Sequence, residues 1–190
     1  MAALNVCRVA ALRVREPCLA RALLTQERSE MRLSIVAIGR LKDGPERELY
    51  QRYAKRIDEA GRGVALGPLT LAEFPEARQS SAKQRQADEA QRLIGAAEGA
   101  DLMVALDERG KTFGSEAFAR WLGAQRDEGR RTVAFLIGGA DGHGEAVSDR
   151  VALKISLGPM TLPHGLARIV LAEQLYRAAT ILAGHPYHRA

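Results

Sequence analysis

From Met31 onward, short apolar runs alternate with longer stretches in which apolar residues return every three or four positions. That pattern predicts strands interleaved with amphipathic helices. The first run, Met31 to Ile38, predicts a strand. Asp43-Gly44-Pro45 marks a turn, after which Leu49, Tyr50, Tyr53, Ala54 and Ile57 share one face of a helix that Gly61 can end. A second strand is predicted over Leu66 to Phe74, interrupted near Gly67-Pro68. Ser81 and Gln84 have capping-box spacing, ahead of a helix that places Ala87, Ala90, Leu93 or Ile94, and Ala97 on one side. Leu102 to Leu106 reads as a third strand and Asp107-Glu108-Arg109-Gly110 as the loop leaving it. Ser115 is then expected to cap a helix with Ala117, Phe118, Trp121 and Leu122 at core spacing.

Val133 to Ile137 and Val151 to Leu157 supply the fourth and fifth strands. The last helix carries Leu166, Ile169, Val170, Leu171, Leu175, Tyr176, Ile181 and Leu182, apolar on more than one face. Such a helix must be buried on several sides, in the core or against a second copy of the chain. Strand and helix in alternation predict an α/β fold with a mostly parallel sheet flanked by helices.

With 190 residues, 46% of them hydrophobic, the chain can bury one sizeable core, and residues 31–190 read as a single domain. Residues 1–30 differ. They hold Arg8, Arg13, Arg15, Arg21 and Arg28 against Glu16, Glu27 and Glu30, without a clear strand. An arginine-rich leader is one form of organelle targeting peptide, but the three acids weigh against it. The segment reads better as a disordered extension, or as one that precedes a natural start at Met31. A formal charge of +5 suits an anionic partner such as nucleic acid without requiring one. Cys7 and Cys18 both fall in that leader, so the domain has neither a thiolate metal site nor a cysteine nucleophile, and a reducing, cytoplasmic setting fits. No apolar run approaches the ~20 residues needed to cross a bilayer.

Candidate chemistry gathers in the last third. The fourth strand enters Gly138, Gly139, Gly142 and Gly144, and the fifth enters Gly158-Pro159-Met160-Thr161-Leu162-Pro163-His164. Two backbone-rich loops at strand ends can grip a small molecule through main-chain groups, because glycine lets the backbone approach closely. The spacing is Gly-Gly-x-x-Gly-x-Gly, not the dinucleotide fingerprint, and no acid stands about twenty positions further on to hold a ribose. A nicotinamide-dependent oxidoreductase is thereby weakened.

The chain resembles the ribosomal RNA large subunit methyltransferase H family, of the SPOUT class. The likeness runs through Met31-Arg32-Leu33-Ser34-Ile35-Val36-Ala37-Ile38-Gly39-Arg40-Leu41-Lys42, Leu136-Ile137-Gly138-Gly139, Met160-Thr161-Leu162-Pro163-His164, Leu171-Ala172-Glu173-Gln174-Leu175-Tyr176-Arg177-Ala178 and His185-Pro186-Tyr187-His188-Arg189. The resemblance implies a C-terminal trefoil knot, a homodimer, S-adenosylmethionine as cofactor and no metal. It also implies methylation of N3 of a pseudouridine in 23S rRNA, within the large subunit or the assembled ribosome. Matching segments assign cofactor contacts to Leu106, Gly138, Leu157, Gly158, Pro159, Met160, Thr161 and Leu162. Gly158-Pro159 departs from the family pattern, which leaves main-chain contacts there intact.

The resemblance also gives the tail a role. His188 can accept the proton or hydrogen-bond the pyrimidine edge, Arg189 can bind phosphate or steady developing negative charge, and Tyr187 can stack on a base. His164 can cap the last helix, while Arg168 and Arg177 can pair with Glu173 or face RNA. A competing reading is a ribosome-associated RNA-binding protein without catalytic activity.

Overall fold

Strand β1 (Met31–Ile38) and strand β4 (Thr132–Ile137) bury side chains on both faces, which places them in the middle of a sheet. The computed structural model describes residues 30–185. Within it β2 (Leu66–Phe74), β3 (Leu102–Thr112) and β5 (Leu153–Ser156) complete a five-stranded sheet in the order β2-β1-β4-β3-β5. All neighbouring pairs are parallel.

Successive residues point to opposite sides of a strand. Leu33, Ile35, Val133 and Phe135 therefore join one core, whereas Val36, Ile38, Ala134 and Leu136 join another. Helices α1 (Pro45–Gly61), α3 (Ser115–Asp127) and α5 (His164–Leu182) cover the first face, contributing Tyr50, Ile57, Phe118, Leu122, Leu171 and Leu175. Helix α2 (Ala82–Ala96) and the single turn α4 (Glu145–Ser148) cover the second with Ala90, Leu93 and Val147. The α/β prediction and the five strands are as expected.

Helix α5 packs on α1, α3, β1 and β4, so its apolar residues face several neighbours, as its composition required. Leu166 is the exception at 42% exposed. Trp121 belongs to the core side, with its ring 5.8 Å from that of Phe118.

Three local expectations change. Asp107 to Gly110 is not a loop leaving the sheet, because β3 runs on to Thr112. Both Leu106 and Lys111 pair with Ile155, so the residues between them bulge from the β3–β5 ladder. Ser115 is not a cap: Gly114 holds that position, and the Ser115 hydroxyl donates to Gln174 Oε1 at 3.1 Å. Ser81 does occupy the N-cap of α2, but no side chain bonds there, so the capping box does not form. The expected interruption at Gly67-Pro68 is a register shift between the Met31↔Leu66 and Leu33↔Leu69 pairs, with β2 continuing through it.

Candidate functional site

Parallel pairing brings the carboxyl ends of β4, β3 and β5 to one edge. Leu106, next to the bulge of β3, is in register with Ile137 on one side and Ile155 on the other, so it lies beside the points where Gly138 and Leu157 leave β4 and β5. Ligands of open α/β sheets bind at such an edge, where loops diverge from the strand ends. The three predicted cofactor segments are thus neighbours in space.

Their surroundings differ. Leu157 and Gly158 line a cavity of about 330 Å³ bounded by Thr112, Phe113, Val170 and Gln174. That volume lies at the lower end of the range for small-molecule sites, ~300–1,000 Å³. Leu106 and Gly138 do not line it. They border a histidine that the sequence reading passed over: His143 Nε2 stands 3.0 Å from the Leu106 carbonyl oxygen, and a Cβ on Gly138 would fall 3.1 Å from His143 Nδ1. His143 Nδ1 is buried without a hydrogen-bond partner. Burial lowers the ring's pKa, and the Leu106 carbonyl and Asp107 oppose that shift more weakly.

Gly139 shows why glycine is needed in this turn. Any Cβ there would stand 2.4 Å from Glu89 Oε2. Glu89 is 4% exposed; its Oε1 accepts the Ala77 amide at 3.0 Å, and its Oε2 has no partner. Helix α2 also fastens the far side of the turn. Arg85 donates to both carboxylate oxygens of Asp141, at 2.7 and 3.1 Å, and Gln86 donates to the Asp141 carbonyl at 2.7 Å. The Arg85 guanidinium holds the Asp141 carboxyl below the usual carboxylate range. Such a turn is fixed before any ligand arrives.

In the loop after β5, Pro159, Met160 and Thr161 are exposed, whereas Leu157, Gly158 and Leu162 are half-buried. The loop ends where α5 begins, and α5 is held by Arg168, 1% exposed. Its guanidinium pairs with Glu73 and donates to the carbonyls of Ile38 and Gly39 at 3.3 and 3.2 Å and of His164 at 3.1 Å. Glu73 also accepts the Leu41 amide at 2.8 Å and an Arg47 nitrogen at 3.4 Å. Arg168 therefore pairs with Glu73 and not with Glu173. Arg177 does pair with Glu173, at 2.6 Å. Asp107 Oδ1 accepts the Arg109 amide at 2.9 Å, steadying the bulge of β3. Tyr187, His188 and Arg189 lie outside the described residues.

His143 and the Arg168–Glu73 pair are what the sequence reading missed. The one signal for His143 was its place between Gly142 and Gly144. A main-chain edge and a cavity of ligand size beside it fit a small organic molecule. No helix among the described residues is long and apolar enough to cross a membrane.

A family model described as "Predicted SPOUT methyltransferase" matches residues 31–188. The chain is 52% identical to a "Ribosomal RNA large subunit methyltransferase H" from Brucella anthropi, over 84% of this chain and 100% of that protein. It is 50% identical to a protein of the same name from Brucella abortus, with the same coverage. Among solved structures, a probable methylase family protein from Haemophilus influenzae aligns with a TM-score of 0.46 at 12% identity, over 86% of this chain and 72% of that one. With a match across nearly all of the domain, the chain belongs to the SPOUT methyltransferase family.

Proposed function

We propose that the protein is an S-adenosylmethionine-dependent methyltransferase acting on N3 of a pseudouridine in 23S rRNA of the large ribosomal subunit. The observation that carries this reading is half identity, over the full length of the relatives, to proteins named for rRNA methylation. Adjacency of Leu106, Gly138 and Leu157 at one sheet edge supports it independently. When bound, S-adenosylmethionine supplies a methyl group on a sulfonium: a carbon–nitrogen bond forms at N3, the carbon–sulfur bond breaks, and N3 gives up its proton.

The residues of this chain would contribute alignment first. Main-chain groups of Leu106, Gly138 and the stretch Leu157, Gly158, Pro159, Met160, Thr161 and Leu162 hold the cofactor in this reading. Holding two reactants in line supplies up to about 7–11 kcal/mol of a barrier. His188 takes the N3 proton, a step of roughly 10²–10⁴-fold. Arg189 steadies the negative charge that forms on the pyrimidine, and Tyr187 stacks on a base.

The same reading includes a trefoil knot formed by the C-terminal segment and a homodimer in which tails and pockets cooperate. Exposed Met160, in the loop before α5, and Leu166, in its first turn, support a docking role for this region. It places the enzyme in the cytoplasm, on the large subunit or the assembled ribosome, with residues 31–190 as the catalytic domain. Mass mapping of 23S rRNA from cells lacking the protein tests the proposal. A single pseudouridine should lose one methyl group and regain it on complementation. An unchanged modification map, with ribosome binding retained, would favour an RNA-binding protein without catalysis.

A further inference from the structure

We propose that the segments leaving β1 and β2 form the surface that grips rRNA phosphates beside the target nucleotide, with Arg40, Lys42, Arg78 and Lys83 as its contacts. This rests on the reading that the substrate is rRNA, and it names the face that receives it. The parallel sheet sends both segments out at the edge that carries the candidate site. Ile38 pairs with Phe74, and the Gly39 amide donates to the Phe74 carbonyl at 2.8 Å, so the two segments start side by side. All four cations are exposed, and among the described residues none has an ion pair or a side-chain hydrogen bond. The acids in these segments are Asp43, which pairs with Arg47 at 3.3 Å, and Glu76.

Both segments are held by their main chain. Leu41, 4% exposed, lies between Arg40 and Lys42; its amide donates to Glu73 at 2.8 Å, and its carbonyl accepts from Arg47. After β2, the Ala77 amide donates to buried Glu89 at 3.0 Å and Arg92 donates to the Pro75 carbonyl at 2.8 Å. Arg85 donates to the carbonyls of Gln79 and Ser80 at 2.8 and 3.2 Å. A backbone fixed in this way sets where the cations stand yet leaves their charges in water, which suits contact with phosphate. The same bonds join the two segments to the loops of the candidate site. Leu41 Cδ2 is 3.4 Å from where a Cβ on Gly165 would stand in the first turn of α5, and Arg85 also clasps Asp141 in the glycine turn. Arg78 lines an open groove of about 510 Å³ with Pro75, Glu76, Gln79 and Arg92. A nucleotide brought to this edge carries its flanking phosphates toward these cations.

Binding of full-length wild type and variants to ribosomes from cells lacking the protein tests this, read across a salt series beside methylation kinetics and calorimetric titration with S-adenosylmethionine. Arg40→Ala, Lys42→Ala, Arg78→Ala and Lys83→Ala should each weaken ribosome binding about two- to fivefold. Each should also flatten the slope of log affinity against log salt by about 0.7–0.9, the loss of one phosphate contact. The KM for ribosomes should rise with the loss of binding, while kcat, cofactor affinity and melting temperature stay at wild-type values. Arg40→Lys and Arg78→Lys, which keep the charge, should restore most of the loss. Arg62, exposed in the turn before β2 at the opposite edge of the sheet, is the control, and Arg62→Ala should change nothing. Alanine variants with wild-type ribosome affinity and salt slope, or a loss equalled by Arg62→Ala, would overturn the surface. Wild type that binds ribosomes through these residues yet methylates nothing would keep the surface and remove the enzyme.

Discussion

Replacing Arg168 with methionine should lower the melting temperature by roughly 6–12 °C. The side chain is 1% exposed, and it serves four acceptors drawn from β1, the turn after it, β2 and α5. Methionine matches much of the volume but leaves Glu73 with the Leu41 amide and Arg47, and strips the carbonyls of Ile38, Gly39 and His164 of this donor. Removing one partner of a buried pair costs about 3–5 kcal/mol. Glu73 retains two donors and is 13% exposed at its side chain, which argues for the lower end, about 3 kcal/mol. For a domain of this size each kcal/mol moves the midpoint by about 2–4 °C. The assay is thermal unfolding followed by circular dichroism, with Glu73→Met and the double variant completing a cycle. Because the cost arises from an abandoned charge, the double variant should recover part of the loss. A single variant melting within about 2 °C of wild type would refute the argument.

His143 predicts a pH effect with a definite sign. Burial lowers its pKa from the ordinary 6.5, so the unfolded chain binds the proton more readily. The stability contributed by the neutral ring is present above about pH 6.5 and is lost as the pH falls through the lower folded value. Urea unfolding should therefore show a larger loss on acidification in wild type than in His143→Gln. Gly110→Ala puts a Cβ 2.6 Å from the Ile155 carbonyl carbon, main chain that cannot rotate away. It should cost about 1–3 kcal/mol in chemical denaturation, whereas Gly114→Ala, with nothing within 4 Å, meets no such contact. His188→Ala should depress rRNA methylation with cofactor affinity unchanged in calorimetry; unaltered turnover removes the residue from the reaction. Deleting residues 1–30 should leave both melting temperature and methylation intact.

The fold was readable where burial leaves a mark on side chains. Met31 to Ile38 and Val133 to Ile137 are apolar on both faces because each strand has helices above and below it. The second half of β3 leaves no such mark. Asp107, Glu108, Arg109 and Gly110 read as a loop, yet the ladder to β5 resumes at Lys111 and Thr112 through backbone groups that every residue carries. Ser115 misled for a related reason. Its hydroxyl has a local use as a cap and a tertiary use with Gln174, 59 residues on, and spacing along the chain shows only the first.

The candidate site divides along the same line. A main-chain site announces itself only through the residues that make the backbone accessible, so Gly138 and the loop after β5 could be found, although Leu106 came from family resemblance alone. His143 and Arg168 could not be found in that way. Each matters through an oxygen far along the chain: Leu106 is 37 residues from His143, and Glu73 is 95 residues from Arg168. The two contacts have a common consequence. His143 ties β3 at Leu106, next to its bulge, to the glycine turn, and Arg168 ties the first turn of α5 to β1 and β2. The three segments that diverge from the sheet edge are thus cross-linked to one another or to the sheet by side chains buried before any ligand arrives. A site whose own atoms are mostly backbone cannot tune its shape by rotamer, so its accuracy must come from such braces. Loss of either brace should therefore weaken cofactor binding by loosening the main-chain segments that form the site.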